Sequence, residues 1–514
     1  MTELKNVSSP EIVFASRDEQ PSGTVIVTAG DNAQLAPTAA KLDNSAAGAL
    51  TRACSISKFK GKAKTAVSML APAGLESVDR LIVIGLGGID TAPSQAWIDL
   101  GGFTRGKIDP QVERADLWLE ASDGSTLQSE HASAVALGIL LRGYEFTKYK
   151  TKKKKKKDDG EEDHQETSLS RVTIHCDAPE AAEAAFAPLR AVAEGVYLAR
   201  DLVNEPPNAL GPEDFAAQVR GFADYGVEVD VLDEERMREL GMGALLAVGQ
   251  GSARPSRLVS LRWRGEGAPD GPPTIFIGKG VCFDTGGVSM KPASGMEEMK
   301  GDMGGAACVA GLVLALAKQK APVDVVGVLG LTENMVSGTA ARPSDIVTSM
   351  SGQTIEVLNT DAEGRMVLAD AMWYAQETWQ PKRIVTLATL TGAIIVALGH
   401  EYAGLYANDD ALCDALVQAG AQTDEKVWRM PLSRKYDKLI DSKVADMKNI
   451  GGRWAGSITA AQFLQRFVQD DVSWAHIDIA GTAFSAPSTD INRSWGAGFG
   501  VRLLERMITE EARR

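Results

Sequence analysis

Twice along this chain, short runs of aliphatic and β-branched residues alternate with stretches of helical spacing, and that alternation restricts the fold more than any other feature. In the first series EIVFA (11–15), TVIVTA (24–29), LIVIGLG (81–87), DLWLEA (116–121) and RVTIHC (171–176) read as buried strands. Helical spacing occupies 94–106 and 131–143 between them. In the second series VEVDVL (227–232), RLVSLRW (257–263), TIFIGKG (274–280), VDVVGVLG (323–330), TIEVLN (354–359), RIVTLATL (383–390) and HIDIAG (476–481) play the same part. Helical stretches such as 304–318 and 366–377 separate them. This order predicts two α/β domains. An alanine-rich helix over 179–203 connects them, and the prolines of NEPPN (204–208) end it. The expected division is therefore a first domain over 1–178 and a second over 204–514, consistent with a chain of 514 residues.

Charge and cysteine usage narrow the function classes. A net charge of −14 repels phosphate backbones and disfavours general nucleic-acid binding. One interval departs from this: 147–170 is a low-complexity loop in which Lys152–Lys157 precede an acidic cluster, Asp158–Asp163. We read two charge blocks that partly neutralise each other; the competing reading is a contact with DNA, an architectural role added to or replacing any enzymatic one. The five cysteines are scattered without CxxC spacing, the pattern of reduced, buried thiols in the cytosol. The N-terminus has no apolar signal region, and apolar stretches such as 306–317 fall short of the ~20 residues of a membrane span. A soluble, cytoplasmic protein is expected.

Two segments concentrate ionisable residues where strands give way to turns. GKGVCFDTGGVSMKPASGMEEMKGDMGG (278–305) offers Lys279, Asp284, Lys291 and Asp302; NTDAEGRMVLAD (359–370) offers Asp361, Glu363 and Arg365. Ligands of open α/β sheets bind beyond the carboxyl ends of strands, where both segments stand. If the second turn is locally extended, Asp361, Glu363 and Arg365 share a face. Four carboxylates match two divalent ions, since carboxylates can bridge a metal pair about 3.5–4 Å apart. Lys279 could coordinate as a neutral amine, because metal binding and deprotonation are coupled. Other chemistries lack their residues: no histidine lies between 176 and 399, HExxH and Gly-x-Ser-x-Gly are absent, and Asp90 replaces the third glycine of a dinucleotide loop after LIVIGLG. His476 reads as a satisfied core histidine, and Cys282 and Cys308 as small core residues.

GKGVCFDTGG (278–287) and NTDAEGR (359–365), with NEPPN (204–208), TLTG (389–392) and DIAGTA (478–483), resemble the M17 leucyl aminopeptidase family, and the likeness is strongest from about residue 180 onward. The resemblance implies a macro-like N-terminal α/β domain and a catalytic α/β domain with a mixed sheet flanked by helices. It further implies that Asp284 and Glu363 bridge two metals, that Lys279 and Asp302 complete the tighter site, and that Asp361 completes the exchangeable one. Manganese or zinc would be the foremost ions, and a water between them the nucleophile. Lys291 would stabilise the oxyanion, and Arg365 would hold a bicarbonate ion acting as general base. Met299, Thr389, Leu390, Gly392 and Ala480 would bind the substrate main chain and its side chain, favouring leucine-like or methionine-like termini. Peptides with a free N-terminus as substrates and a homohexameric assembly follow from the same resemblance.

Overall fold

The computed structural model describes residues 9–89, 93–151 and 169–512. The lysine run Lys152–Lys157, its acidic neighbours and Asp90 lie outside the described residues. The chain divides into two compact units, Met1–Ala193 with Ser488–Ser494, and Glu194–Pro487 with Trp495–Arg514.

In the first unit six described strands form one sheet: β1 (Glu11–Ala15), β2 (Gly23–Ala29), β3 (Ala66–Leu70), β4 (Val78–Gly85), β5 (Arg114–Trp118) and β6 (Arg171–His175). Their order is β1-β6-β5-β2-β4-β3, parallel throughout except for the antiparallel pair β3–β4. Val25 and Val27 of β2 and Leu81 and Val83 of β4 bury one face of the sheet against Leu42 and Leu50 of the helices Pro37–Ser45 and Ala49–Ile56. Strand β3 escapes the sequence reading for a physical reason. It is an edge strand in which only Val67 is buried, and Ser68 breaks its apolar residues into two pairs too short to read as a buried run.

The second unit carries β7 (Glu228–Leu232), β8 (Arg257–Arg264), β9 (Thr274–Asp284), β10 (Asp324–Asn334), β11 (Ile346–Thr348), β12 (Thr354–Glu356), β13 (Arg383–Ala388), β14 (Ala403–Ala407), β15 (Val427–Arg429), β16 (Met447–Lys448) and β17 (Ser473–Asp478). Eight of these build a mixed sheet in the order β15-β14-β17-β13-β9-β10-β8-β7. Its centre is parallel, because β17, β13, β9 and β10 run the same way. Asp478, Ala388, Asp284 and Asn334 therefore end neighbouring strands on one edge. TIEVLN is a departure from expectation: only Thr354–Glu356 is a strand, and it joins β11 and β16 in a separate three-stranded sheet. After Val357, whose backbone still pairs with Ser344 and Asp345, the chain leaves the ladder, and this irregular stretch leads to Asp361.

Helix Gly304–Gln319 packs on the central strands, with every residue from Gly304 to Ala317 buried. Its close approach depends on glycine: a Cβ on Gly305 would stand 2.1 Å from the Leu387 carbonyl oxygen. Apolar stretches here prove longer than the sequence suggested. The span Met296–Gln319, in which a 3-10 turn precedes the helix, has the length and composition to cross a membrane, yet 89% of its apolar window is buried inside the protein. It is a core helix.

Candidate metal centre

The strand-end edge of the second unit assembles the charged residues. Asp284 is the last residue of β9, and Lys279 lies five positions earlier on the same strand, both buried. Asp302 follows the 3-10 turn Met296–Gly301, and Glu363 caps the helix Gly364–Trp379. Glu363 has helical dihedrals (φ −79°, ψ −37°), so the turn is not extended as the alternation argument supposed. Helix onset, rather than strand alternation, aims its carboxylate. The start of that helix also has to be glycine, because a Cβ on Gly364 would sit 2.6 Å from Lys279 Cε and block the lysine's path.

Asp284, Asp361 and Glu363 each present a carboxylate oxygen, and these oxygens all lie within 4.8 Å of one another. Two lysines thread the cluster. Lys279 Nζ donates to Asp302 Oδ1 at 2.8 Å and to the Thr389 carbonyl oxygen at 2.9 Å, and stands 2.8 Å from Glu363 Oε1. Three acceptors match the three protons of an ammonium. Lys291 Nζ pairs with Asp284 Oδ2 at 2.8 Å and with Asp361. Burial works against charge on both lysines, but the fields of Asp302, Glu363 and Asp284 outweigh it and hold both above the ordinary lysine value. Burial pushes the Asp284 and Asp361 carboxyls up; at Asp284 repulsion from Glu363 adds to it, and at Asp361 repulsion from Asp284 does. Four buried or half-buried carboxylates face two ammonium groups, so negative charge is in excess.

The donor set fits divalent cations. Asp302 Oδ2 is buried without a hydrogen-bond partner among the described residues, an acceptor left open toward a cation. The remaining oxygens are carboxylate, the donor type that hard and borderline divalent ions take. Arg365 is buried in the first turn of the helix; burial pushes its guanidinium down to about 10, against the pull of Glu363 and Asp478, so it is cationic at neutral pH. Its Nη1 donates to the Asn449 carbonyl oxygen at 2.8 Å, while Nε has no partner among the described residues.

Three residues that the sequence reading did not single out hold this arrangement. Asn334, at the end of β10, donates through Nδ2 to Asp284 Oδ1 at 2.8 Å and to the Thr360 carbonyl at 3.0 Å. With Gly286 N also donating to Oδ1, one oxygen of Asp284 is committed and the other turns to the cluster. Asp478, at the end of β17, accepts from Leu390 N at 3.1 Å, Ala480 N at 3.2 Å and Thr391 Oγ1 at 2.7 Å. It thereby fixes the backbone of two of the expected substrate-binding positions. Asn449, whose carbonyl receives Arg365 and whose side chain pairs with Asn359, is the third. Asn334 and Asp478 end strands and Asn449 follows one, a position that is readable but unspecific.

Thr389 reaches the cluster directly, its Oγ1 donating to Asp302 Oδ1 at 2.8 Å. Among the described residues no hydrogen bond or ion pair ties the side chain of Met299 to the carboxylates. It is half-buried on the 3-10 turn, three residues before Asp302. Gly392 is exposed at the first turn of the helix Gly392–Leu398. His476 is buried as expected but uses half its capacity: Nδ1 pairs with Thr386 Oγ1 at 3.0 Å, and Nε2 has no partner among the described residues. Burial pushes its pKa down to about 3, which keeps it neutral and unsuited to proton transfer near neutrality. The cysteines Cys54, Cys176, Cys282, Cys308 and Cys413 are buried and free. At Cys282 and Cys308 burial raises the thiol, so neither is a nucleophile.

Comparison with known proteins bears on this geometry. Residues 197–505 match the model of the cytosol aminopeptidase family, catalytic domain, and residues 25–153 match that family's N-terminal domain. The chain is 54% identical over 488 residues to a probable cytosol aminopeptidase of Nitrobacter winogradskyi, covering 95% of each chain. It is 53% identical to a probable cytosol aminopeptidase of a Chelativorans species, covering 98% of each. Among solved structures, a point mutant of tomato leucine aminopeptidase superposes with a TM-score of 0.83 at 32% identity, covering 98% of this chain and 97% of that one. The bottromycin maturation enzyme BotP in complex with Mn superposes at 0.82 with 31% identity, covering 96% of this chain and 100% of that one. With both family domains present in order and a carboxylate–lysine cluster at the sheet edge, the chain belongs to the cytosol aminopeptidase family, M17.

Proposed function

We propose that this protein is a leucyl aminopeptidase that binds two divalent cations and removes single residues from peptide N-termini in the cytoplasm. The observation that carries the proposal is the convergence of Asp284, Asp361 and Glu363 within 4.8 Å, beside Asp302 with its open oxygen. Asp284 and Glu363 would be shared between the cations, Lys279 and Asp302 completing one site and Asp361 the other. Lys279 would take part as a neutral amine and yield its proton as a cation arrives. Bound there, the metal pair would polarise the scissile carbonyl and lower the pKa of an attacking water.

The protein's own groups do the rest. Lys291, paired with Asp284 and Asp361, would donate a hydrogen bond to the oxygen that gains charge during attack. Arg365, cationic and with Nε unpartnered among the described residues, suits bicarbonate through bidentate hydrogen bonds. The backbone at Leu390 and Ala480, tied to Asp478, would align the substrate main chain next to Gly392. Met299, Thr389 and Ala480 would border an apolar side-chain pocket, which favours leucine-like termini. A preference for leucine and the use of manganese draw support from the tomato leucine aminopeptidase and from the Mn complex of BotP, and a cytoplasmic setting from the names of the relatives. The boundary assignments 1–178, 179–203 and 204–514, and a homohexamer, belong to the same proposal.

The test is direct. The metal-stripped protein should fail to hydrolyse leucine anilide, and manganese, zinc, cobalt and magnesium are then returned one at a time. Activity that survives complete removal of metal overturns the proposal. Glu363→Ala should abolish turnover, and near-normal rates at full metal occupancy would refute the bridging role.

A further inference from the structure

We infer that Asn449 is a positioning residue that locks the carboxylate-bearing loop and the Arg365 guanidinium into one unit. The inference rests on the metal-dependent reading above and adds a residue to it. Asn449 is completely buried and directly follows β16, whose pairing with β12 is prolonged by Asn449 N donating to the Glu356 carbonyl at 3.0 Å. Val357 still pairs through its backbone with Asp345 and Ser344, but beyond it the chain has no ladder partner and its partly buried amides and carbonyls need one.

A single side-chain amide meets that need. Asn449 Oδ1 accepts from Leu358 N at 2.9 Å and Asn359 N at 3.3 Å. Its Nδ2 donates to the Asn359 carbonyl at 2.6 Å and reaches the Ala362 carbonyl at 3.5 Å. The loop is tightened further where Asn359 Oδ1 accepts from Asp361 N at 2.9 Å. The main-chain carbonyl of the same Asn449 receives Arg365 Nη1 at 2.8 Å. Apart from Thr360, whose N–H and carbonyl pair with Ser289 and Asn334, residues 358–365 thus fold around one residue, whose amide sets the spacing of Asp361 and Glu363 on one side and whose carbonyl anchors the guanidinium on the other. Only an amide on a short stem supplies acceptor and donor at this reach. An aspartate would keep the acceptor half and turn its second oxygen against two carbonyl oxygens.

The full-length protein, stripped of metal, tests this with N449D and with N449S, which removes the amide without adding charge and carries the test should N449D not fold. I355V, a small core change in β12, is the control for general destabilisation. Mn2+ affinity by calorimetry is expected to fall about 10–100-fold in the Asn449 variants, the usual effect of disturbing groups that orient metal ligands, and to stay unchanged in I355V. With leucine anilide the loss should fall on kcat more than on KM. In metal-free protein, hydrogen exchange should accelerate at the amides of 358–366 and not in the helix Gly304–Gln319. Wild-type exchange across 358–366 in the variants overturns the inference whether or not Mn2+ binds, as does wild-type Mn2+ affinity in them. A wild-type protein that takes up no Mn2+ overturns the metal-dependent reading instead.

Discussion

Replacing Lys279 with methionine removes a buried charge while keeping most of the side chain's length, and its consequences follow from the geometry. In wild type the ammonium lies 2.8 Å from both Asp302 and Glu363, with 2%, 5% and 3% of the three residues exposed. Methionine leaves the two carboxylates without that counter-ion. Removing one partner of a buried ion pair costs about 3–5 kcal/mol. In a large domain, where each kcal/mol moves the midpoint by about 2 °C, metal-free K279M should melt roughly 6–10 °C below metal-free wild type. The penalty must depend on pH. Burial already holds the Asp302 carboxyl well above its ordinary pKa against the pull of Lys279, and with the ammonium gone its folded-state pKa rises further above the unfolded one. For such an acid stability is full at low pH and is lost as pH rises toward the folded value, by about 1.4 kcal/mol per pH unit. The gap between variant and wild type should therefore be smallest near pH 5 and widen toward pH 8. Added Mn2+ should narrow it again, because a cation replaces the missing charge. Differential scanning calorimetry from pH 5 to 8, with and without Mn2+, reads all three effects. A K279M protein as stable as wild type across that range, without metal, would refute the claim that Lys279 is the resident counter-ion.

Three further outcomes are expected. Because the Lys279 ammonium is held above its ordinary pKa by Asp302, Glu363 and Asp284 against the effect of burial, a cation ligated there must displace a proton. Mn2+ affinity should rise about tenfold per pH unit for each proton released, and calorimetry in buffers of different ionisation enthalpy should count at least one; a count of zero would contradict ligation by Lys279. K291M should lower kcat by about 10²–10³, the scale for losing one oxyanion donor, with Mn2+ content kept; an unchanged kcat removes Lys291 from that role. Asp370, buried in the helix Gly364–Trp379, accepts from Leu245 N and Met350 N at 2.8 Å each, and burial pushes its carboxyl up to about 7. Its contribution to stability is full below pH 4 and lost as pH rises toward 7. D370N should thus gain on wild type by an amount on the order of 4 kcal/mol across that window, and parallel urea-unfolding curves would refute this.

The order of strands and helices was open to reading because buried strands in a largely parallel sheet are continuous apolar runs, as in TIFIGKG and VDVVGVLG. Edge and satellite strands such as β3 and β11 were not, since few of their side chains face a core. Lys279, Asp284, Lys291, Asp302, Asp361, Glu363 and Arg365 stood out because they concentrate charge in two short segments that contain glycines. Asn334 and Asn449 carry no such mark, and Asp478 stood only within the family-like segment DIAGTA. Each comes from a different, distant strand, and its importance exists only once the sheet edge is assembled.

The chain alone therefore determined its class, its family likeness and the inventory of charges available for catalysis, because periodicity and composition are local properties. Tertiary structure alone decided which oxygen faces which ammonium, that Glu363 is aimed by a helix start, and that Asn449 can serve loop and guanidinium together. Those are distances between groups far apart in sequence, and they become defined only when backbone groups that have left a ladder must find partners inside the protein.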